Sequence, residues 1–213
     1  LKALTGTTGV PRLVAWEDDG IMPMLVMDRL GPSLANIFVA IGSVMPPETM
    51  LMLTCQMLDC LQAVHSKGFI HRDVSPANFA LGRGAERHKV YVIDFGFAKR
   101  FEAKENHKHI PCKQHQGFTG TAQFASTYAL QGLEQSRRDD IQALGYVAAF
   151  FLRGHLPWQT LKAETAKERN RMILEMKLGT DASELLKGHP QRFAEILAHS
   201  SHLGFGETPN YRM

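Results

Sequence analysis

His71-Arg72-Asp73-Val74-Ser75-Pro76-Ala77-Asn78 and Ile93-Asp94-Phe95-Gly96 are the two stretches that decide the fold of this chain. Two short hydrophobic segments, Phe79 to Leu81 and Val90 to Ile93, lie between them. These segments predict a pair of strands joined by the polar turn Gly82 to Lys89. Either tripeptide, His-Arg-Asp or Asp-Phe-Gly, is a weak signal alone. Both in this order, with Asn78 following Asp73 at a fixed distance, form a strong signal.

The acidic and amide residues of these stretches have the chemistry that phosphoryl transfer needs. A carboxylate must orient the nucleophilic hydroxyl and accept its proton, and oxygen ligands must hold magnesium against the ATP phosphates. Asp73 suits the first role. Asp94 and the amide oxygen of Asn78 suit the second, because Mg²⁺ prefers oxygen ligands. Any one of the three could instead be an ordinary turn or capping residue. That alternative fits less well when all three occur together at the expected spacing.

The order and spacing match the catalytic-loop and magnesium-loop patterns of protein kinases. A narrower resemblance, to the casein kinase 1 family, lies in Gly120-Thr121-Ala122-Gln123-Phe124-Ala125-Ser126, where that family carries G-T-A-R-Y-A-S and most kinases carry A-P-E. The resemblance covers nearly the whole chain, from about Gly9 to Tyr211. Its other blocks are Gly132-Leu133-Glu134-Gln135-Ser136-Arg137-Arg138-Asp139-Asp140, Arg153-Gly154-His155-Leu156-Pro157-Trp158-Gln159 and Val26-Met27-Asp28-Arg29-Leu30-Gly31-Pro32.

The resemblance implies an α+β, protein kinase-like fold that is mainly the helical C-lobe with a remnant of the N-lobe sheet. We expect one domain over residues 1–213, with the N-lobe remnant at about 1–27 and the hinge and C-lobe at 28–213. Asp140 would hold the catalytic loop through its backbone amides. The adenine site implied by the resemblance consists of the gatekeeper Met27, the hinge residues Asp28, Arg29 and Leu30, the floor residue Ala80, and Ile93 beside it.

The function implied is transfer of the ATP γ-phosphate to Ser/Thr hydroxyls of proteins, with ATP and Mg²⁺ as cofactors. Asp73 would be the base, and Asn78 and Asp94 the magnesium ligands. The substrates would be acidic or pre-phosphorylated protein sites. The resemblance further implies a monomer of cytoplasm and nucleus.

Two substitutions depart from the family pattern in ways that bear on activity, and a third position bears on substrate binding. Ser75 replaces the lysine of the family's V-K-P-D-N, which weakens charge stabilisation of the transferred phosphate. Gln123 replaces an arginine of the family's site for pre-phosphorylated substrates, and Arg169 falls where another basic member of that site would be. Because arginine binds phosphate far better than glutamine, we expect a weaker preference for phosphorylated substrates. A solvent-exposed helix face is the alternative for Arg169.

The sequence carries no Gly-rich loop, strand lysine or helix glutamate of the kinase pattern, and it begins at Leu1 without Met. Because the lysine pairs with the ATP phosphates, the chain as given should transfer phosphate weakly or not at all. We expect the sequence to be an internal piece of a longer enzyme. The rival hypothesis is a catalytically inactive pseudokinase or scaffold that binds protein partners. An unrelated helical binding module would require the motifs to coincide by chance.

Composition argues against two classes of partner. There are 24 Lys and Arg against 21 Asp and Glu, a formal charge of +3, which is too small to indicate a nucleic-acid or membrane surface. No apolar run approaches the roughly 18 residues of a membrane span. Cys55, Cys60 and Cys112 form no C-x-x-C pair and are expected to be reduced. His107, His109 and His115 could suggest a metal site, but their spacing fits an exposed loop better.

Hydrophobic periodicity predicts a mainly helical chain after two N-terminal strands, Val10 to Trp16 and Met22 to Met27. Pro46 opens a long helix that stops at Gly68, with Leu51, Cys55, Leu58, Gln62 and His65 on its apolar side, widened by Leu61 and Val64. Phe101 to Leu133 reads as irregular. The remaining predicted helices are a central buried one at Asp139 to Leu152 and two amphipathic ones at Leu161 to Leu178 and Pro190 to Leu203.

Overall fold

The structure is a computed structural model that describes residues 2–18, 20, 23–42, 44–103, 108–114 and 117–212. Its strands pair two by two, each pair antiparallel: β1 (Leu13–Glu17) with β2 (Met24–Met27), β3 (Phe69–Ile70) with β6 (Lys99–Arg100), and β4 (Phe79–Leu81) with β5 (Val90–Val92). The helices are α1 (Leu34–Ile41), α2 (Pro47–His65), α3 (Thr127–Leu130), α4 (Arg137–Arg153), α5 (Ala166–Leu178), α6 (Ala182–Leu185) and α7 (Gln191–His202).

Helix α4 forms the centre of the core. Almost its whole length is buried, including both acidic residues of its first turn, Asp139 and Asp140. It packs against α2 on one side and α7 on another. A helix that is apolar nearly all round must be surrounded by protein, as the sequence predicted. It ends at Gly154, whose φ of 80° is the left-handed conformation that glycine adopts without a side-chain penalty.

Local sequence explains where the neighbouring helices begin and end. The Ser33 side chain caps α1 by accepting the Asn36 N–H at 3.2 Å, which satisfies one of the unpaired donors of the first turn. Helix α2 begins at Pro47, where a missing N–H costs nothing. It stops at His65, close to the predicted end.

The structure corrects three details of the sequence prediction. Leu51, Cys55 and Gln62 do not face the core, because all three are exposed. Helix α2 instead buries a stripe that includes Met50, Thr54, Met57, Leu58, Leu61, Val64 and His65. Helix α5 begins five residues later than predicted, because the Thr165 side chain caps it by accepting the Glu168 N–H. The stretch predicted as irregular contains the short helix α3, capped by Ser126.

The N-terminal strands form a hairpin whose register shifts between Leu13 and Ala15. Strands β1 and β2 expose most of their residues, unlike the helical part of the chain. The division into an N-lobe remnant at 1–27 and a C-lobe at 28–213 stays a prediction. None of the helices in the described residues combines the length and apolar character needed to cross a membrane.

The contact between α4 and α7 gives a prediction for Gly145. A Cβ atom added there would lie 2.6 Å from Cδ2 and 2.7 Å from Cγ of Leu197, which is itself buried. We expect Gly145→Val to lower the free energy of unfolding by about 2 kcal/mol, because overpacking forces neighbouring side chains to move. Urea unfolding followed by circular dichroism measures this.

Gly179→Val is the control, because Gly179 is exposed and an added Cβ would meet only ordinary contacts at 3.4 Å. Adding Leu197→Ala to Gly145→Val should restore part of the lost free energy of unfolding, because the effects of substitutions at contacting residues are not additive. Equal losses at Gly145 and Gly179 would contradict this packing.

Candidate active site

The catalytic loop is fastened to the central helix by one buried carboxylate. Asp140 Oδ2 accepts the backbone N–H of His71 at 2.7 Å, and its Oδ1 accepts that of Arg72 at 2.9 Å. The contact implied by the resemblance is therefore present. The residue is 1% exposed, so these donors replace water around the charge.

His65 is the third donor to this carboxylate. Its Nε2 donates to Asp140 Oδ2 at 2.8 Å, and its Nδ1 lies 2.7 Å from the Tyr211 hydroxyl. A carboxylate only accepts, so Nε2 carries a proton. Burial in itself raises the pKa of Asp140. The hydrogen bond from His65, the charges of His65 and His71 and the His71 N–H outweigh burial, and together they hold the pKa of Asp140 below its usual 3.8.

Asp73 is held from two sides by other segments of the chain. Its Oδ1 accepts both the N–H and the hydroxyl of Thr121, each at 2.8 Å. Its Oδ2 accepts from Asn78 Nδ2 at 2.9 Å, and the same Nδ2 donates to the Asp73 carbonyl at 2.8 Å. Two carboxylate oxygens bonded to separate partners fix the orientation of the plane of the group.

The backbone around Asp73 adopts conformations that most residues avoid. Arg72 has a φ of 67°, and the Phe97 carbonyl accepts from its Nε at 2.6 Å. Gly120 has a φ of 101°, and a Cβ there would lie 2.6 Å from the Arg72 carbonyl oxygen. Only glycine lets the two segments approach this closely. Unfavourable backbone of this kind concentrates at functional sites and persists where surrounding contacts impose it.

Asn78 and Asp94 supply oxygen atoms suited to magnesium. Because Asn78 uses its amide nitrogen toward Asp73, its oxygen is left for another partner. Asp94, at a φ of 59°, accepts the Gly96 N–H at 3.1 Å through Oδ1 alone. The Ile93 N–H donates to the Asn78 carbonyl at 2.9 Å, which makes the two segments neighbours. An amide and a carboxylate oxygen are the donors that Mg²⁺ takes, with water and phosphate completing its shell.

A cleft of about 870 Å³ lies between the N-terminal hairpin, the hinge and the β4–β5 pair. Its lining includes the predicted adenine-site residues Met27, Asp28, Leu30, Ala80 and Ile93, together with Asp94. Mostly apolar walls with few polar groups are typical of small-molecule sites. Neither Asp73 nor Asn78 lines this cleft, although the Asn78 carbonyl accepts the N–H of the lining residue Ile93. Arg29 lies outside as well, in a smaller depression with Gly82 and Tyr91.

The hinge is held in place by β4. The Gly31 N–H donates to the Leu81 carbonyl at 2.7 Å, and the Leu81 N–H donates to the Pro32 carbonyl at 3.0 Å. In the part of the chain that the structure describes, neither the carbonyl of Asp28 nor the N–H of Leu30 has a hydrogen-bond partner. These groups are the donor and acceptor that a hinge can offer to a planar ligand.

Ser75 and Lys99 are the positions that bear on positive charge near the site. Ser75 is buried at 4% exposure and carries no charge where the resemblance implies lysine. Lys99 is engaged elsewhere: its Nζ donates to both oxygens of Glu134, at 2.8 and 2.9 Å. None of the described residues that line the cleft is Lys or Arg.

In the described residues, no hydrogen bond links Gln123 and Arg169, the two residues predicted for substrate binding. The Gln123 carbonyl accepts from Trp158 Nε1 at 2.8 Å, and its side chain is half-buried. Arg169 is exposed on the first turns of α5, and no hydrogen bond or ion pair of the described residues involves its guanidinium. Their joint role stays a prediction.

Sequence reasoning missed Thr121, His65 and Tyr211 as parts of the site. Thr121 was visible within the resembling block, whereas His65 was assigned only to the apolar face of a helix. The predicted alternative of a histidine metal site concerns His107 and His115, which lie outside the described residues. Within the described residues, no group of three His, Cys, Asp or Glu side chains could hold a metal. His109 Nδ1 lies 2.8 Å from the Ile110 carbonyl.

A family model for the protein kinase domain matches residues 10–200. The match spans the cleft, the catalytic loop, Asp94 and the central helix. It confirms the predicted fold class, a kinase-like arrangement of mainly helical structure with small sheets.

Asp139, the neighbour of Asp140, should make the free energy of unfolding depend on pH. Burial raises its pKa from 3.8 to about 6, against hydrogen bonds from Ser126 and the Ser136 N–H that lower it. A raised carboxyl pKa makes the folded state bind more protons, so stability falls as pH rises from about 4 to 6. Going from pH 5 to 7 should cost about 1 kcal/mol of unfolding free energy through this group.

Asp139→Asn should lack this contribution, and urea unfolding at both pH values measures it. Comparing the pH dependence of the two proteins isolates this group, because every other titratable group is common to both. Parallel pH profiles of the two proteins would show that Asp139 does not titrate in this range.

Proposed function

The chain belongs to the protein kinase family, and we propose that it is a Ser/Thr protein kinase of the casein kinase 1 type. One observation carries this proposal most directly. Asp73, the base of the catalytic loop, is oriented by Thr121 and Asn78, and Asn78 borders the segment that carries Asp94. The proposal places a proton acceptor and two metal-binding oxygens on adjoining segments, as phosphoryl transfer requires.

Asp73 orients the substrate hydroxyl and accepts its proton. Its position is set by Thr121 and Asn78, so the carboxylate does not have to reorganise when the hydroxyl arrives. Thr121 belongs to the segment that would lie beside a protein substrate, and it therefore ties substrate position to the base. Magnesium-bound ATP supplies the phosphoryl group.

Asn78 and Asp94 hold the metal in this proposal. Asn78 is oriented by its two hydrogen bonds to Asp73, and Asp94 by the Gly96 N–H. The cleft lined by Met27, Leu30 and Ala80 would hold adenine, with the Asp28 carbonyl and the Leu30 N–H available to its edge. We expect Ser75 in place of lysine to slow transfer without removing the base or either metal ligand.

Proteins with acidic or phosphorylated sites are the substrates that the resemblance favours. Arg169 is exposed and free to meet an anion, while Gln123 cannot form the bidentate contacts that an arginine gives. We therefore propose a weak preference for phosphorylated over unmodified substrates. We also propose that the protein acts in the cytoplasm and nucleus, as the resemblance implies. Ser75 favours the second candidate function, a scaffold that binds partners and transfers nothing, and so does the lack of Lys or Arg among the described residues of the cleft lining.

Asp73→Asn should abolish transfer in the full-length protein. An amide cannot accept the hydroxyl proton, and loss of general base catalysis costs about 10²- to 10⁴-fold. Incorporation of labelled phosphate into casein or an acidic peptide measures the rate. Asp59→Asn, an exposed residue of α2 outside the site, is the matched control. A rate equal to that of wild type for Asp73→Asn would contradict the assignment of the base.

Magnesium-dependent binding of ATP separates the enzyme from the scaffold. We expect the full-length protein to bind ATP more tightly with Mg²⁺ present, and Asp94→Asn to remove that dependence because it removes an anionic ligand. Isothermal titration calorimetry with and without Mg²⁺ measures both affinities. Nucleotide binding that is absent, or that ignores magnesium, would favour the scaffold.

A further inference from the structure

Lys177, in the last turn of α5, is a lysine buried in the protein interior. It is 4% exposed, which is rare for this residue type without a paired carboxylate. Its Nζ donates to the carbonyl of Ala122 at 3.2 Å and to that of Ala125 at 2.6 Å. Among the described residues, no carboxylate lies within ion-pair distance of Nζ.

Two aromatic rings complete the surroundings of the ammonium group. The Tyr146 ring centroid, from α4, lies 4.2 Å from Nζ, and that of Trp158 lies 4.9 Å away. Ring faces attract a cation, and the attraction is stronger where water is excluded. Burial lowers the pKa of Lys177 well below its usual 10.5, because the carbonyls and the two rings replace only part of the water around its amino group.

The carbonyls that Lys177 holds belong to the segment that contacts the base. Residues 121–126 form a compact turn in which the Phe124 and Ala125 N–H groups donate to the Thr121 carbonyl, at 3.0 and 3.1 Å. Trp158 Nε1 donates to the Gln123 carbonyl in the same turn. At its start, Thr121 donates twice to Asp73. Lys177 therefore ties the beginning of the turn to its end, and Asp73 holds its first residue, Thr121.

We propose that Lys177 is a positioning residue for phosphoryl transfer: by holding the Ala122 and Ala125 carbonyls, it keeps Thr121 against the carboxylate of Asp73. The inference rests on the proposed kinase function and extends it to a residue that touches neither nucleotide nor substrate. Small displacements of a catalytic group are costly, since misplacement by about 1 Å can reduce a rate by about 100-fold.

Lys177→Met in the full-length protein is the first test. Methionine keeps much of the side-chain volume and removes both hydrogen bonds and the charge. We expect kcat for peptide phosphorylation to fall about 10- to 100-fold with the KM for ATP unchanged, because the cleft is untouched. Lys177→Arg, which keeps a cation and several donors, should recover part of the rate. Lys167→Met, on the exposed start of the same helix, should match wild type.

A double-mutant cycle separates positioning from a structural role. If Lys177 acts through Thr121, then Thr121→Val should lower kcat strongly in wild type and much less in Lys177→Met, because coupled residues are not additive. Assays run below the unfolding temperature of every variant keep stability out of the comparison. Additive effects, or a Lys177→Met variant that loses only thermal stability, would overturn the proposal.

Hydrogen exchange tests the same contact without using activity. The Thr121 N–H donates to Asp73, so Lys177→Met should speed deuterium uptake in a peptide covering 121–126, while Lys167→Met should not. A wild-type protein that transfers no phosphate would count against the proposed kinase function. Even then, unchanged protection of this segment in Lys177→Met would overturn the positioning role, whereas faster uptake would support it.

Discussion

The structure of the site depends on the buried carboxylate of Asp140. Removing an ionised carboxyl group from water costs several kcal/mol unless donors replace the lost hydration. Here the donors are the N–H groups of His71 and Arg72 and the ring of His65, which come from segments far apart in sequence. The charge can be buried only if the catalytic loop, α2 and α4 are all in place, so the cost of its burial makes the three segments one cooperative unit.

The conformation of the loop follows from this attachment. Accepting the Arg72 N–H holds that residue at a positive φ, which a non-glycine residue adopts only under constraint. The chain then turns so that Asp73 meets Thr121, and Gly120 permits the approach because it has no side chain. Asp73 is thus supported from the core through Asp140 and from the 121–126 turn through Thr121. Two independent supports restrict it more than either would alone.

A contact could be predicted from the sequence when the residues that form it lie close together along the chain. Local patterns predicted the long helices and the β4–β5 pair, because each depends on neighbours along the chain. The joint placement of Asn78 and Asp94 was predicted from the match to the protein kinase motifs. The contact of Asp140 with the loop was anticipated only through resemblance to a family. The contacts of His65 with Tyr211 and of Lys177 with the 121–126 turn join distant segments, and helical periodicity carries no information about them. Periodicity also gave the wrong face for the start of α2, where apolar Leu51 and Cys55 widen the stripe into solvent.

The distribution of charge around the cleft determines what can bind there. Asp28 and Asp94 line the cleft, and no Lys or Arg is among the described residues of the lining. Ser75 adds no positive charge, and Lys99 is neutralised by Glu134. A polyphosphate entering this part of the molecule would meet carboxylates of its own sign at short range. In the proposed function, a divalent cation between Asn78, Asp94 and the phosphates would convert that repulsion into attraction. Nucleotide binding in this half of the cleft would then depend on magnesium, and Asn78, one of its two proposed ligands, is positioned by the same loop that Asp140 holds.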